Sequence, residues 1–109
     1  MSIIYSNITF TEPEKLSNWE PPRRAGIYAI LIPDSNSKPR PFSVVYFGES
    51  ENISERGFAS HHKRSCWVRK AGNETNLFVS VYLMPNSTKE QRTTIESQLV
   101  QQFRPSCND

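Results

Sequence analysis

The chain has 109 residues, of which 36% are hydrophobic and 22% charged, with a formal net charge of +2. That length fits one domain with a single modest core, and the composition excludes a disordered chain. No apolar run approaches the ~18 residues of a membrane span and the start has no basic segment ahead of an apolar one, so a cytoplasmic protein with no membrane partner is expected. Cys66 and Cys107 are too few for a disulfide framework and are expected as free thiols in a reducing compartment.

Residues 2–10 mix β-branched and aromatic side chains and are expected as an edge strand or an extended arm. Helix-start signals follow: Thr11 at an N-cap, Pro13 in the first turn and Glu14 at the capping-box position. Pro21 and Pro22 stop that helix early, so residues 1–24 are expected as an arm with a short helix and residues 25–109 as the main unit. Residues 26–32 are an apolar strand, 33–41 a loop with three prolines, and 43–48 a second strand that closes an antiparallel hairpin. Residues 50–70 are helical in character, capped by Ser50 or Asn52, with Gly57 marking a kink or a break. Residues 77–84 form the third strand. Ser87 or Thr88 then caps a last helix through residue 103, on which Ile95, Leu99 and Phe103 form an apolar stripe. The expected fold is α/β: a three-stranded antiparallel sheet flanked by helices in a single domain.

Charge is distributed unevenly. Residues 56–70 hold five cations (Arg56, Lys63, Arg64, Arg69 and Lys70), two histidines and no acid. Such a stretch suits either a surface that faces nucleic-acid phosphates or an ordinary solvated helix face. Glu49, Glu51 and Glu55 precede it. Trp67 is expected in the core.

Two phenols, Tyr28 and Tyr46, a guanidinium at Arg56, a carboxylate at Glu96 and an amide at Asn108 lie on what read as separate elements. Phosphodiester cleavage needs a group to take a proton from water, a cation for the developing charge, and an acid to hold a divalent metal. Gly26-Ile27-Tyr28 and Tyr46-Phe47-Gly48, the second with Phe in place of Ile, resemble the two signatures of the GIY-YIG nuclease family. The ten-residue step from Tyr46 to Arg56, the twelve-residue step from Glu96 to Asn108 and the ending Phe103-Arg104-Pro105-Ser106-Cys107-Asn108 are also similar to the family's pattern. The resemblance runs from about Gly26 to Asn108. It implies a GIY-YIG-like nuclease domain over 25–109 and a divalent-metal-dependent endonuclease acting on DNA, with RNA the lesser alternative. By that resemblance Tyr28 is the general base or positions the attacking water, and Tyr46 supports it. Arg56 stabilises the phosphate, Glu96 holds one Mg²⁺ or Mn²⁺, and Asn108 braces the site.

The chain departs from the family's pattern in three places. Its hairpin connection is longer, and Glu49 follows Gly48 where many members carry no acid; a carboxylate there could repel phosphate or bind a second cation. Ser60 stands where some members place a histidine, and His61 and His62 follow directly as candidate catalytic residues. One turn before Glu96 the same helix face carries Arg92. His62, Cys66 and Cys107 offer a weaker zinc reading, with no strong zinc spacing behind it. Two further functions stay open: a nucleic-acid-binding or protein-interaction module that does not cleave, and a zinc-stabilised interaction domain. The chain leaves little room for a separate target reader, so weak sequence specificity, a homodimer or a targeting partner protein is expected.

Overall fold

The computed structural model describes residues 2–108, so the end residues 1 and 109 of the two expected segments lie outside the described residues. β4 (Gly26–Pro33) is buried from Gly26 to Leu31. An apolar run buried on both faces belongs at the centre of a sheet, and β4 pairs antiparallel with β5 (Phe42–Ser50) on one side and β6 (Phe78–Leu83) on the other. The three strands read from the sequence are therefore present. The sheet, however, has four strands, because β3 (Glu14–Lys15) adds to the far edge of β6 in the order β3-β6-β4-β5. A separate two-stranded hairpin pairs β1 (Ile3–Tyr5) with β2 (Ile8–Phe10).

The fourth strand displaces the short helix expected at residue 11. Thr11 does not cap a helix: its amide donates to the Val81 carbonyl at 2.9 Å and its hydroxyl accepts from the Val81 amide at 3.0 Å. The open edge of β6 needs hydrogen-bond partners, and meeting that need outweighs a local capping signal. The expected helix is reduced to one 3₁₀ turn, Leu16–Asn18.

Residues 50–70 break up more than expected. Two 3₁₀ turns, Ile53–Glu55 and Phe58–Ser60, precede α1 (Arg64–Ala71), and only α1 is a true helix. Asn52 caps the first turn through the Ser54 amide. Gly57 sits between the turns at φ +74°, a left-handed conformation that ends helical propagation and favours glycine. α2 (Lys89–Phe103) starts as read, with Thr88 at its N-cap and a reciprocal capping box through Gln91. Among the described residues no helix is long and apolar enough to cross a membrane.

Each sheet face carries its own core. Tyr28, Ile30, Tyr46, Val79 and Val81 pack with Ile53, Phe58 and Trp67 from the turns and α1, which places Trp67 in the core. Ile27, Ala29, Leu31 and Phe47 pack with Leu99 of α2 and with Ile3, Tyr5 and Phe10 of the hairpin. Ile95 and Phe103 join that second core, so the α2 stripe faces the sheet.

The expectation of free thiols is overturned, because Cys66 of α1 and Cys107 of the tail form a disulfide across 41 residues. Beyond Pro105 the tail runs back along β5, and the Cys107 amide donates to the Val45 carbonyl at 2.9 Å. This brings the two Cα atoms to 5.9 Å, inside bonding range for cystine.

Candidate active site

Gly48 lies opposite Tyr28 in the β4–β5 register, and Tyr46 lies opposite Ile30. The two tyrosines are thus diagonal neighbours on one face, with ring centroids 6.1 Å apart. A Cβ at Gly48 would collide with the Tyr28 phenol. The glycine of the second signature is therefore the space into which the tyrosine of the first one fits.

The break at Gly57 decides which histidine enters. The Phe58–Ser60 turn ends on His61 in extended conformation, and its ring is 5% exposed. His61 Nε2 lies 2.9 Å from the Tyr28 hydroxyl. The Lys63 amide donates to His61 Nδ1 at 3.0 Å, so Nδ1 carries no hydrogen in the neutral ring and Nε2–H donates to the Tyr28 oxygen. This tautomer is assigned from the hydrogen bonds. Burial, followed by the charges of Arg56, His62 and Lys63, pulls His61 down to about 4, so it is neutral near pH 7. His62 is exposed and stacks on His61 at 4.6 Å.

Burial pushes the Tyr28 hydroxyl well above its ordinary range, assisted by Tyr46, and the charge of Arg56 opposes the rise. Tyr46 is raised by burial and then by Glu96, again with Arg56 opposing. Arg56 itself is half-buried at the end of the Ile53–Glu55 turn rather than on a helix. Glu96 is half-buried on α2, and its carboxyl is raised by burial and then by Glu49, with Lys89 opposing. It lines a cleft of about 440 Å³ with Tyr46, His62, Lys63 and Asn108. Among the described residues Glu96 makes no hydrogen bond or ion pair.

Asn108 acts as a surrogate strand residue. Its Oδ1 accepts from the Phe47 amide and its Nδ2 donates to the Phe47 carbonyl, both at 2.9 Å. That clamp fixes β5 at the residue beside Tyr46.

Tyr28, Tyr46 and His61 are thus gathered on one face of the sheet, and Glu96 and Asn108 line the cleft beside Tyr46. Arg56 acts on both phenols through its charge and lines an adjoining recess with Glu49, Glu51 and Glu55. The basic stretch divides. Lys63 lines the cleft, whereas Arg64 turns to Glu74 at 3.6 Å and to the Phe58 carbonyl. Arg69 and Lys70 are exposed in the last turn of α1. With both sulfurs joined to each other, the zinc reading loses two of its three ligands.

The sequence reading missed the partner of Glu49. Arg92, 3% exposed, donates from Nε to Glu49 Oε1 at 2.9 Å, so the acid after Gly48 is neutralised across the β5–α2 contact. Spacing carries no signal of this pair, which spans 43 residues.

Among the described residues no group of three or more histidines, cysteines and acids is gathered for a metal ion. A Mg²⁺ site does not require such a group, since the ion keeps several waters and is commonly held by one or two carboxylates. Glu96, with no cation paired to its oxygens among the described residues and an open cleft before it, fits that role.

By sequence, the chain matches no family model and no curated protein. By structure, it is similar to the GIY-YIG N-terminal endonuclease domain of UvrC from Thermotoga maritima bound to its catalytic divalent cation, magnesium. That match has a TM-score of 0.54 at 15% identity over 82% of this chain and 88% of that one. A tyrosine-to-phenylalanine variant of the same domain aligns with a TM-score of 0.55 at 15% identity, covering 82% of this chain and 88% of that one. An asparagine-to-alanine variant aligns at 0.54 and 14% identity over 82% and 87%. The fold of this chain is GIY-YIG-like.

Proposed function

We propose that the protein is a divalent-metal-dependent endonuclease that hydrolyses phosphodiester bonds in DNA. One observation carries the reading. A buried phenol held by a neutral histidine and a second phenol share one sheet face, both under the charge of Arg56, and beside the second lies a half-buried carboxylate that forms no ion pair among the described residues. The magnesium-bound endonuclease domain of similar fold supports it.

In this reading Tyr28 positions the attacking water, and it takes that water's proton only as the phenolate, after its own proton has passed to solvent. The phenol is protonated at rest, because burial holds it well above neutrality. Any phenolate would keep the fixed Nε2–H of His61 as donor and Arg56 as neighbouring cation, and both interactions favour the charged form. His61 cannot act as an acid near neutral pH, since it holds no second proton there. Tyr46 lines the cleft and orders the phosphate by hydrogen bonding, and Arg56 meets the charge that develops on it. Glu96 would hold Mg²⁺ or Mn²⁺, which when bound supplies Lewis-acid stabilisation of the leaving oxygen. Asn108 braces β5, and Lys63 and His62 at the cleft, with Arg69 and Lys70 further out, contact the DNA backbone.

The non-cleaving alternative draws on the repulsion that Glu49 would exert on phosphate; its pairing with Arg92 weakens that objection. Plasmid nicking tests the function directly. Wild type should nick in Mg²⁺ and not in EDTA, and Arg56→Ala and Glu96→Ala should not nick while a gel shift shows retained DNA binding. Binding without nicking by wild type in Mg²⁺ and Mn²⁺ would leave the interaction module as the function. A homodimer is part of the proposal, since one site with one metal breaks one strand per event; light scattering of the eluting protein checks it.

A further inference from the structure

Arg92 and Glu96 are one helical turn apart on α2, the spacing at which an arginine and a glutamate ordinarily meet on a helix surface. Here they do not pair. Arg92 is drawn the other way: Nε donates to Glu49 Oε1 at 2.9 Å, and Nη1 donates to the Ser87 carbonyl at 2.8 Å and the Ser87 hydroxyl at 3.0 Å. Glu96 is left without an ion pair among the described residues and lines the cleft with Tyr46. The acid that captures Arg92 comes from β5, one residue beyond the glycine that makes room for Tyr28.

A buried ion pair adds little net stability compared with apolar side chains of similar volume, so stability alone is a poor reason for this arrangement. Its consequence for the neighbouring carboxylate is larger. A guanidinium seated on Glu96 would occupy the oxygens that a divalent ion must reach, and its charge would repel that ion. We infer that Glu49 is a positioning residue for metal binding: it holds Arg92 against Ser87 and so keeps the carboxylate of Glu96 open to a divalent cation. The inference rests on the reading of Glu96 as the metal ligand.

The test is Mn²⁺ binding to the whole chain, followed by isothermal titration calorimetry and by the electron paramagnetic resonance signal of free Mn²⁺. Circular dichroism melts serve as a check on folding. Glu49→Gln releases Arg92 and is expected to bind Mn²⁺ about tenfold more weakly, the scale on which groups supporting a metal ligand act. The double variant Glu49→Gln/Arg92→Met removes the competing cation as well and is expected to return to wild-type affinity. If the glutamine variant does not fold, Glu49→Asp keeps the charge but shortens the reach, and it is expected to weaken binding to a lesser degree. Wild-type affinity in folded Glu49→Gln, or a double variant as weak as the single one, would overturn the inference. Glu96→Gln separates the two levels. Loss of binding there beside an unaffected Glu49→Gln sinks only the role of Glu49, whereas retained binding in Glu96→Gln removes the metal-ligand reading and this inference with it.

Discussion

Two tyrosines on opposite faces of the sheet, Tyr5 and Tyr28, are both buried, at 8% and 1% exposed, yet they have different company. Tyr5 packs edge-on against Phe10, Phe47 and Phe103. Tyr28 meets the Phe58 ring but also the Nε2 of His61, and it lies under the charge of Arg56. Burial raises both hydroxyls, Tyr5 to about 12 against the pull of Arg40 and Tyr28 higher still against that of Arg56. Burial is therefore not what distinguishes them. Around Tyr5 the α2 face is hydrocarbon packing, with the Glu49–Arg92 pair at its margin, whereas around Tyr28 the face of α1 and the turns holds groups that can move or stabilise a charge.

That contrast predicts a crossed response, and its arms are the largest effects expected. On the α2 side, Phe47→Ala should cost about 3–5 kcal/mol of stability, read from urea unfolding. On the other side, Arg56→Ala should lower the nicking rate by about 10²–10³-fold and leave the urea midpoint nearly unchanged. Equal loss of stability in both variants would erase the distinction between the faces.

The disulfide comes next. It closes a loop of 41 residues, and its loss should cost about 3–4 kcal/mol on the chain-entropy account. A thermal melt with and without dithiothreitol measures this, and Cys66→Ser/Cys107→Ala should melt like the reduced protein. Because the bridge ties α1 to the tail that carries Asn108, the site face should loosen before the α2 face in hydrogen exchange.

A smaller effect is expected from pH. Folded His61 takes its proton only near pH 4, whereas the unfolded imidazole takes it near 6.5. Between those values the unfolded chain holds more protons, so stability present above 6.5 is lost as pH falls toward 4, by at most about 3 kcal/mol. Glu96, with a raised carboxyl, works in the opposite direction, so the measurement is the difference between wild type and His61→Gln. The variant should show the shallower decline between pH 6.5 and 4. The smallest expected effect is that of Asn108→Ala, which removes two hydrogen bonds to Phe47. It should cost about 1–2 kcal/mol, and the Phe47 amide should exchange faster.

Much of this was legible in the chain itself. The three long strands follow from dense apolar runs, and the start of α2 from the capping candidates Ser87 and Thr88, of which Thr88 serves. The pairing of the two signatures, the loop at 33–41 and the α2 stripe were readable for the same reason: periodicity and capping act within a few residues, where spacing in sequence is spacing in space. Other features were decided only by packing across long separations. The fourth strand formed because the edge of β6 claimed Thr11 from 70 residues away. His61 rather than His62 reached Tyr28 over 33 residues, once Gly57 broke the expected helix. Glu49 found Arg92 over 43 residues, Cys66 found Cys107 over 41, and Asn108 clamped Phe47 over 61. No local propensity encodes such pairs. They form because burial leaves each polar group or thiol one available partner, and that partner is known only once the sheet has brought the elements together.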